Sequence, residues 1–174
     1  MENKSIELVT SQVERIEKSK KGETVLLMFP IDESIQKVMP NKISAVEELV
    51  FINKISPIVK GDKDIFVKED FYKFSIINPV DYKADMKGTC RPWTDASQMT
   101  KEQSRYTISE CIDVRVVRVQ DIPIMDMILV NKGFDFERFS DRYEHQLKEA
   151  NINRTYHDND YVFLIEVKRW KSYY

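Results

Sequence analysis

Glycine is scarce in this chain, four residues in 174, and neither a phosphate-cradling P-loop nor a dinucleotide-binding G-x-G-x-x-G pattern occurs. Cysteine is scarcer still: Cys90 and Cys111 lack metal-ligand spacing, and the histidines are His145 and His157 alone. A zinc centre would need all four to converge from distant segments, so no metal and no cofactor is expected. Two free thiols fit a reducing compartment better than a disulfide framework. No apolar run approaches about 18 residues, so no membrane span is expected. The opening MENKSIELV lacks a signal-peptide core, so the expected location is cytoplasmic. Excess positive charge is missing as well. Lys and Arg number 27 against 29 Asp and Glu, so any nucleic-acid contact must use a local patch rather than a global basic field. Internal repeats, low-complexity tracts and a Ser-His-Asp constellation are also absent.

What is present suits one globular domain. At 42% hydrophobic and 32% charged, the chain is apolar enough for a core and too apolar for disorder. The strongest local signal runs from Tyr106 to Val119. Tyr106, Ile108, Ile112, Val114 and Val116 share one parity, while Thr107, Ser109, Asp113 and Arg115 share the other, with Glu110 interrupting. This predicts a long strand with one buried face, bent or bulged near Ile112-Asp113, and stopped by Gln120-Asp121-Ile122-Pro123. The continuous apolar run Thr24 to Ile31 predicts a strand covered on both faces. Shorter strands are predicted at Ser5–Val9, Asp64–Glu69 and Tyr161–Lys168.

Helices are read from caps and stripes. Ser11 and Glu14 have capping-box spacing, which predicts a short helix with Val13 and Ile16 inward and Glu14, Arg15, Glu17 and Lys18 solvated. Asp32–Val38 suits one or two helical turns. Ser44 is placed to cap Ala45–Ile52, with Val46, Leu49, Val50 and Phe51 inward. Ile124–Val130 reads as an apolar helix. Phe134–Ala150 reads as an amphipathic one, with Phe136, Phe139, Tyr143, Leu147 and Ala150 as its stripe and His145 on its surface.

Several residues could carry chemistry. Trp93 either stacks on a base or packs as a lid against Met99, and Arg91 and Arg105 suit a phosphate. Lys20 and Lys21 follow the first helix, where its dipole favours cations. Glu69 ends a buried strand; it either faces a pocket or pairs with Lys68 or Arg105. The tail RWKSYY interleaves basic and aromatic residues, as a nucleic-acid or protein contact would.

The succession Trp93, Met99, Ser104-Arg105, a valine-rich strand and Arg118-Val119-Gln120-Asp121-Ile122 resembles the ASCH-like proteins of the PUA superfamily from bacteriophages and prophages. Tyr82-Lys83-Ala84-Asp85 and the closing Ile165-Glu166-Val167 resemble further family segments, and the likeness spans Gln12 to Glu23 and Pro57 to Val167. It implies an α+β, mainly β fold: a PUA/ASCH-like antiparallel β-barrel with peripheral helices. Residues 1–174 would form a single domain with a divergent elaboration at about 32–56 and an added helix at about 134–150. Within the family's G-x-K-x-x-T-x-R-like motif, Lys21 and Thr24 match, while Ser19 and Leu26 stand where the family has glycine and arginine. In members that act as amidohydrolases on acetylated cytidine, that Lys and Thr are catalytic with a Glu from elsewhere. Here the corresponding region reads Asn131-Lys132-Gly133, which leaves Glu69 as the candidate carboxylate. The leading expectation is a phage-encoded module that binds RNA or a modified nucleoside, with Lys20, Lys68, Arg91, Trp93 and Arg105 as ligand contacts. Its cleft would lie between the Lys20-Lys21-Thr24 segment and the Trp93–Arg105 loop. The alternatives are an amidohydrolase or nuclease using Lys21, Thr24 and Glu69, and a virion, accessory or host-factor-binding protein that has lost the family chemistry.

Overall fold

A computed structural model describes residues 4–20, 22–73, 80–86, 92–132 and 138–172. Along them run β1 (Ser5–Glu7), α1 (Thr10–Glu17), β2 (Thr24–Pro30), α2 (Glu33–Gln36), α3 (Ala45–Ile55) and β3 (Lys63–Lys68). Then follow β4 (Phe71–Lys73), β5 (Val80–Tyr82), β6 (Tyr106–Arg118), α4 (Ile124–Asn131), α5 (Phe139–Glu149) and β7 (Tyr161–Ser172). The architecture is α+β and dominated by one five-stranded sheet of order β1-β3-β6-β7-β2, with β4 and β5 forming a separate hairpin. The pairs β3–β6, β6–β7 and β7–β2 are antiparallel, and β1 joins β3 in parallel.

The expected barrel does not close: no ladder among the described residues joins β1 to β2. The cause is local. β1 is three residues long and passes at once into α1, which fills the seam in place of strand pairing. Gln12 of α1 donates its Nε2 to the Met28 carbonyl on the outer edge of β2 at 2.7 Å, and Gln146 of α5 donates to the same oxygen. The edge of β2 is therefore capped by side chains.

Two apolar clusters sandwich the sheet, and strand alternation divides residues between them. One cluster holds Val25 and Leu27 with Phe163, Ile165, Ile108, Val114 and Val13. The other holds Leu26 and Met28 with Val162, Leu164, Tyr143, Leu147 and Val130. β2 is thus covered on both faces, as its continuous apolar run predicts. β6 carries register shifts at Thr107/Ile108, Ile108/Glu110 and Cys111/Asp113. The last lies where a bulge was expected. The shifts change the parity, so Cys111 is fully buried where simple alternation would place Ile112, and Ile112 is only half-buried.

Three helix expectations are corrected. The N-cap of α1 is Val9, not Ser11, and of its charged residues Glu17 and Lys18 are exposed as expected, whereas Glu14 and Arg15 are buried. Arg15 Nε donates to the Leu129 carbonyl at 3.3 Å, so this face packs on α4. Ser44 does cap α3 through a capping box with Glu47. However, Val46 and Leu49 of that helix are 72% and 61% exposed, Val50 is exposed too, and only Ile52 is buried. Ile52 joins the core with Phe51 and Ile55 partly buried against it, and Glu48 accepts the outward N–H of Val116 at 2.9 Å, while Val46, Leu49 and Val50 face outward. In α5, Tyr143 and Leu147 are buried as expected, but Arg142 and Gln146 on its polar side are buried too. Phe134 and Phe136 lie outside the described residues.

Candidate functional site

The end of β3 and the start of β6 meet in a buried ionic network. Alternation along β3 puts Glu69 on the inward side with Ile65 and Val67. Ser104 Oγ donates to the Val67 carbonyl at 2.7 Å, which fixes the entry to β6 and aims Arg105 at Glu69. Arg105 donates Nε to Glu69 Oε1 at 2.8 Å and Nη2 to Glu69 Oε2 at 3.0 Å. Its Nη1 reaches both oxygens of Asp85 at 2.8 and 2.6 Å. The guanidinium lies 4.2 Å from the Tyr82 ring centre and 4.9 Å from that of Tyr106, within cation–π range of both. Burial works against its charge, but the hydrogen bonds and charge of Glu69, then Asp85, outweigh it and raise Arg105 above its usual value. Burial also raises Glu69 above the ordinary carboxylate range, against the opposing pull of Arg105. The phenol of Tyr106 is pushed up to about 12, chiefly by burial.

A cavity of ≈ 890 Å³ opens beside this network. Its walls come from the turn after β1, the N-terminal part of α1, the end of β2, Glu69 and Asp70, Lys83 and Ala84, the Trp93–Ala96 loop and the end of α5. Trp93 is half-buried on its wall. Its loop is anchored by a two-way bridge, with Phe71 N–H donating to the Thr94 carbonyl at 3.1 Å and Thr94 N–H to the Phe71 carbonyl at 2.7 Å. Six carboxylates line the space: Glu7, Glu14, Glu69, Asp70, Asp95 and Glu149. The lysines lining it are Lys18 and Lys83, and Lys83 is already bonded to Asp70 at 2.7 Å. Glu149 accepts Ser11 N–H in the first turn of α1 at 3.1 Å, where the helix dipole favours an anion, and also accepts Ser11 Oγ–H. Arg142 Nη1 donates to that hydroxyl oxygen at 2.9 Å.

Comparison with protein-family models, curated proteins and solved structures finds no match to any of them.

The structure brings two of the sequence-predicted residues into direct contact, Glu69 and Arg105, and places Trp93 on the same cavity as Glu69. Thr24 is exposed at the head of β2, in register with Lys168, and outside the cavity lining. Lys20 is exposed, and its N–H donates to Glu23 at 2.8 Å. Lys68 reaches the Ser97 carbonyl at 3.1 Å and does not line the cavity. Lys21 and Arg91 lie outside the described residues. The cavity therefore sits between the Trp93 loop and the ends of α1 and α5, rather than beside the Lys20–Thr24 segment. Residues that sequence reading missed, notably Ser11, Gln146 and Glu149, come from helix positions read as caps or as a solvated face. Their one sequence signal is the polar spacing 142, 146, 149 on α5, which a surface face shares. No group of three or more His, Cys, Asp or Glu among the described residues is arranged to hold a metal ion, and no helix there is long and apolar enough to cross a membrane.

Proposed function

We propose that this chain is an ASCH-like module of the PUA type that binds a free nucleoside in the cavity walled by Trp93. The carrying observation is the cavity itself: ≈ 890 Å³ falls within the size range of small-ligand sites, and one wall offers an indole for stacking. The charge of the lining chooses between polymer and monomer. The lysines among the lining residues are Lys18 and Lys83, and Lys83 is bonded to Asp70, so the cavity offers a phosphodiester chain little free positive charge, whereas a nucleoside brings no phosphate. The amidohydrolase reading has less support, because both Glu69 oxygens are taken by Arg105 and Thr24 stands outside the lining.

The test is a tryptophan-emission titration of a Trp170→Phe variant, in which Trp93 is the sole tryptophan, with the four common nucleosides and a mixed RNA oligomer. Saturable quenching by a nucleoside, with no binding of the oligomer at moderate salt, supports the reading. Oligomer binding without nucleoside binding refutes it. A second reading, a scaffold for a phage or host protein, draws on the exposed apolar faces of α3 and α4. Its mark would be a complex with such a protein that Ile128→Asp abolishes and Trp93→Ala leaves intact.

A further inference from the structure

We infer that the exposed face of α4 is an interface between two copies of this chain, paired antiparallel about a two-fold axis at the middle of the helix. The inference goes beyond the nucleoside reading, since no residue of α4 lines the cavity. It starts from where exposed apolar side chains occur. Among the described residues, the large ones that are exposed are Val38, then Val46, Leu49 and Val50 of α3, and Ile124, Met125, Ile128 and Leu129 of α4. Single exposed apolar residues are ordinary on a protein surface, but four on one eight-residue helix form a patch.

The patch is large enough for a dimer. Ile124, Met125, Ile128 and Leu129 are 75%, 65%, 55% and 39% exposed, while Val130 is buried in the core beneath them. At roughly 200 Å² for a fully exposed residue of this size, the four leave about 470 Å² uncovered on each copy, which for two copies approaches the ≈ 1,000 Å² of a specific interface before any rim is counted. No charge interrupts the strip, because Asp126 is turned to Arg115 and bonds its Nη1 at 2.9 Å.

Charge at the two ends of the strip names the occupant. Asp121, just before the helix, is exposed, and its side chain bonds no described residue. Lys132, just after it, is exposed and bonds Glu23 at 2.7 Å, which leaves ammonium N–H donors free. Arg15 acts on the same Glu23 carboxylate, so this end keeps a net positive charge. One two-fold axis sets Ile124 against Leu129 of the second copy, Met125 against Ile128 and Asp121 against Lys132, each contact made twice. The apolar strip and the charges at its ends agree on a single register, so the surface is its own complement.

The experiment is sedimentation velocity of the full chain from about 1 to 200 µM, over which an interface of this modest area should show a monomer–dimer equilibrium with a Kd on the order of 10 µM. Ile128→Asp should stay monomeric throughout with unchanged far-ultraviolet circular dichroism, because Ile128 is exposed. Leu49→Asp, on α3 over the opposite cluster of the sheet, should leave the dimer intact. Asp121→Lys should weaken pairing several-fold, and adding Lys132→Asp to it should restore pairing, a recovery that a general change of net charge does not give. A chain that stays monomeric at about 200 µM overturns the inference, as does assembly into open-ended oligomers. So does a dimer that survives Ile128→Asp, is lost in Leu49→Asp, or is indifferent to Asp121→Lys.

Discussion

Replacing Arg105 by alanine tests the ionic network most directly. The Glu69 and Arg105 side chains are 3% and 9% exposed and joined by two hydrogen bonds, whereas Asp85 is 44% exposed. The Asp85 bonds are therefore screened by water and add little. Nearly all of the loss comes from leaving Glu69 buried without its cation, for which we expect about 3–5 kcal/mol. In a domain of this length that lowers the melting temperature by roughly 6–20 °C, measured by calorimetry at neutral pH. The reasoning makes two further demands. Arg105→Lys keeps the charge but loses the planar fork that binds two carboxylates at once, so it should recover no more than about half of the loss. The double variant Glu69→Leu/Arg105→Met removes both charges and should be markedly more stable than Arg105→Ala alone. A loss below about 1 kcal/mol for Arg105→Ala would place the pair among ordinary surface bridges and refute the argument.

Three other outcomes follow from named contacts. Leu147→Ala, at a fully buried position against Tyr143 and Leu164, should cost about 2–5 kcal/mol in urea unfolding. The Glu23 carboxyl is lowered to about 2 by its hydrogen bond from Lys132, then by the Lys20 N–H. A carboxyl-detected NMR titration should show that midpoint in the native protein and an upward move in Lys132→Ala. Because the folded value lies below the unfolded one, the stability this group contributes is complete above the ordinary carboxylate range and is lost as pH falls towards about 2. Cys111 is fully buried, and burial pushes its thiol up to about 12, so in a Cys90→Ser background it should resist alkylation until the chain unfolds.

The sheet was legible in the sequence where one physical signal dominated. The TVLLMFP run could only be a strand buried on both sides, and the valine-rich alternation of β6 could only be a half-buried one. The helices were harder, because the same polar residues serve both a solvated face and a buried hydrogen-bonded one. Ser11, Glu14 and Arg15 have the spacing of a surface helix, and only the seam between β1 and β2 turns them inward. The apolar stripe of α3 was misplaced for the converse reason: periodicity identifies a face but not what that face meets, and it is Ile52, with Phe51 and Ile55 beside it, that meets the core, on the side where Glu48 takes a backbone N–H of the sheet. Glu69 was found because it ends a strand of known parity. Gln146 and Glu149 were not, because they become part of a site only when α5 packs across the start of α1, a contact more than a hundred residues distant in sequence.

The way the seam is filled bears on how this molecule resists polymerisation. A strand edge left open is a template for another chain, and here the eight-residue α1 covers it together with Gln146 of α5. If α1 peels away, the Met28 carbonyl loses the amide of Gln12, and Val13 and Ile16 leave the apolar core. The exposed edge of β2 carries Val25, Leu26, Leu27 and Met28, an uncharged β-prone stretch of the kind that seeds fibrils. The gatekeeper of the sheet is therefore a helix whose own ends are held from outside, by Glu149 at its start and by Arg169 at its last carbonyls. Removing either of those two distant side chains should therefore expose the edge more often and shorten the lag before aggregation.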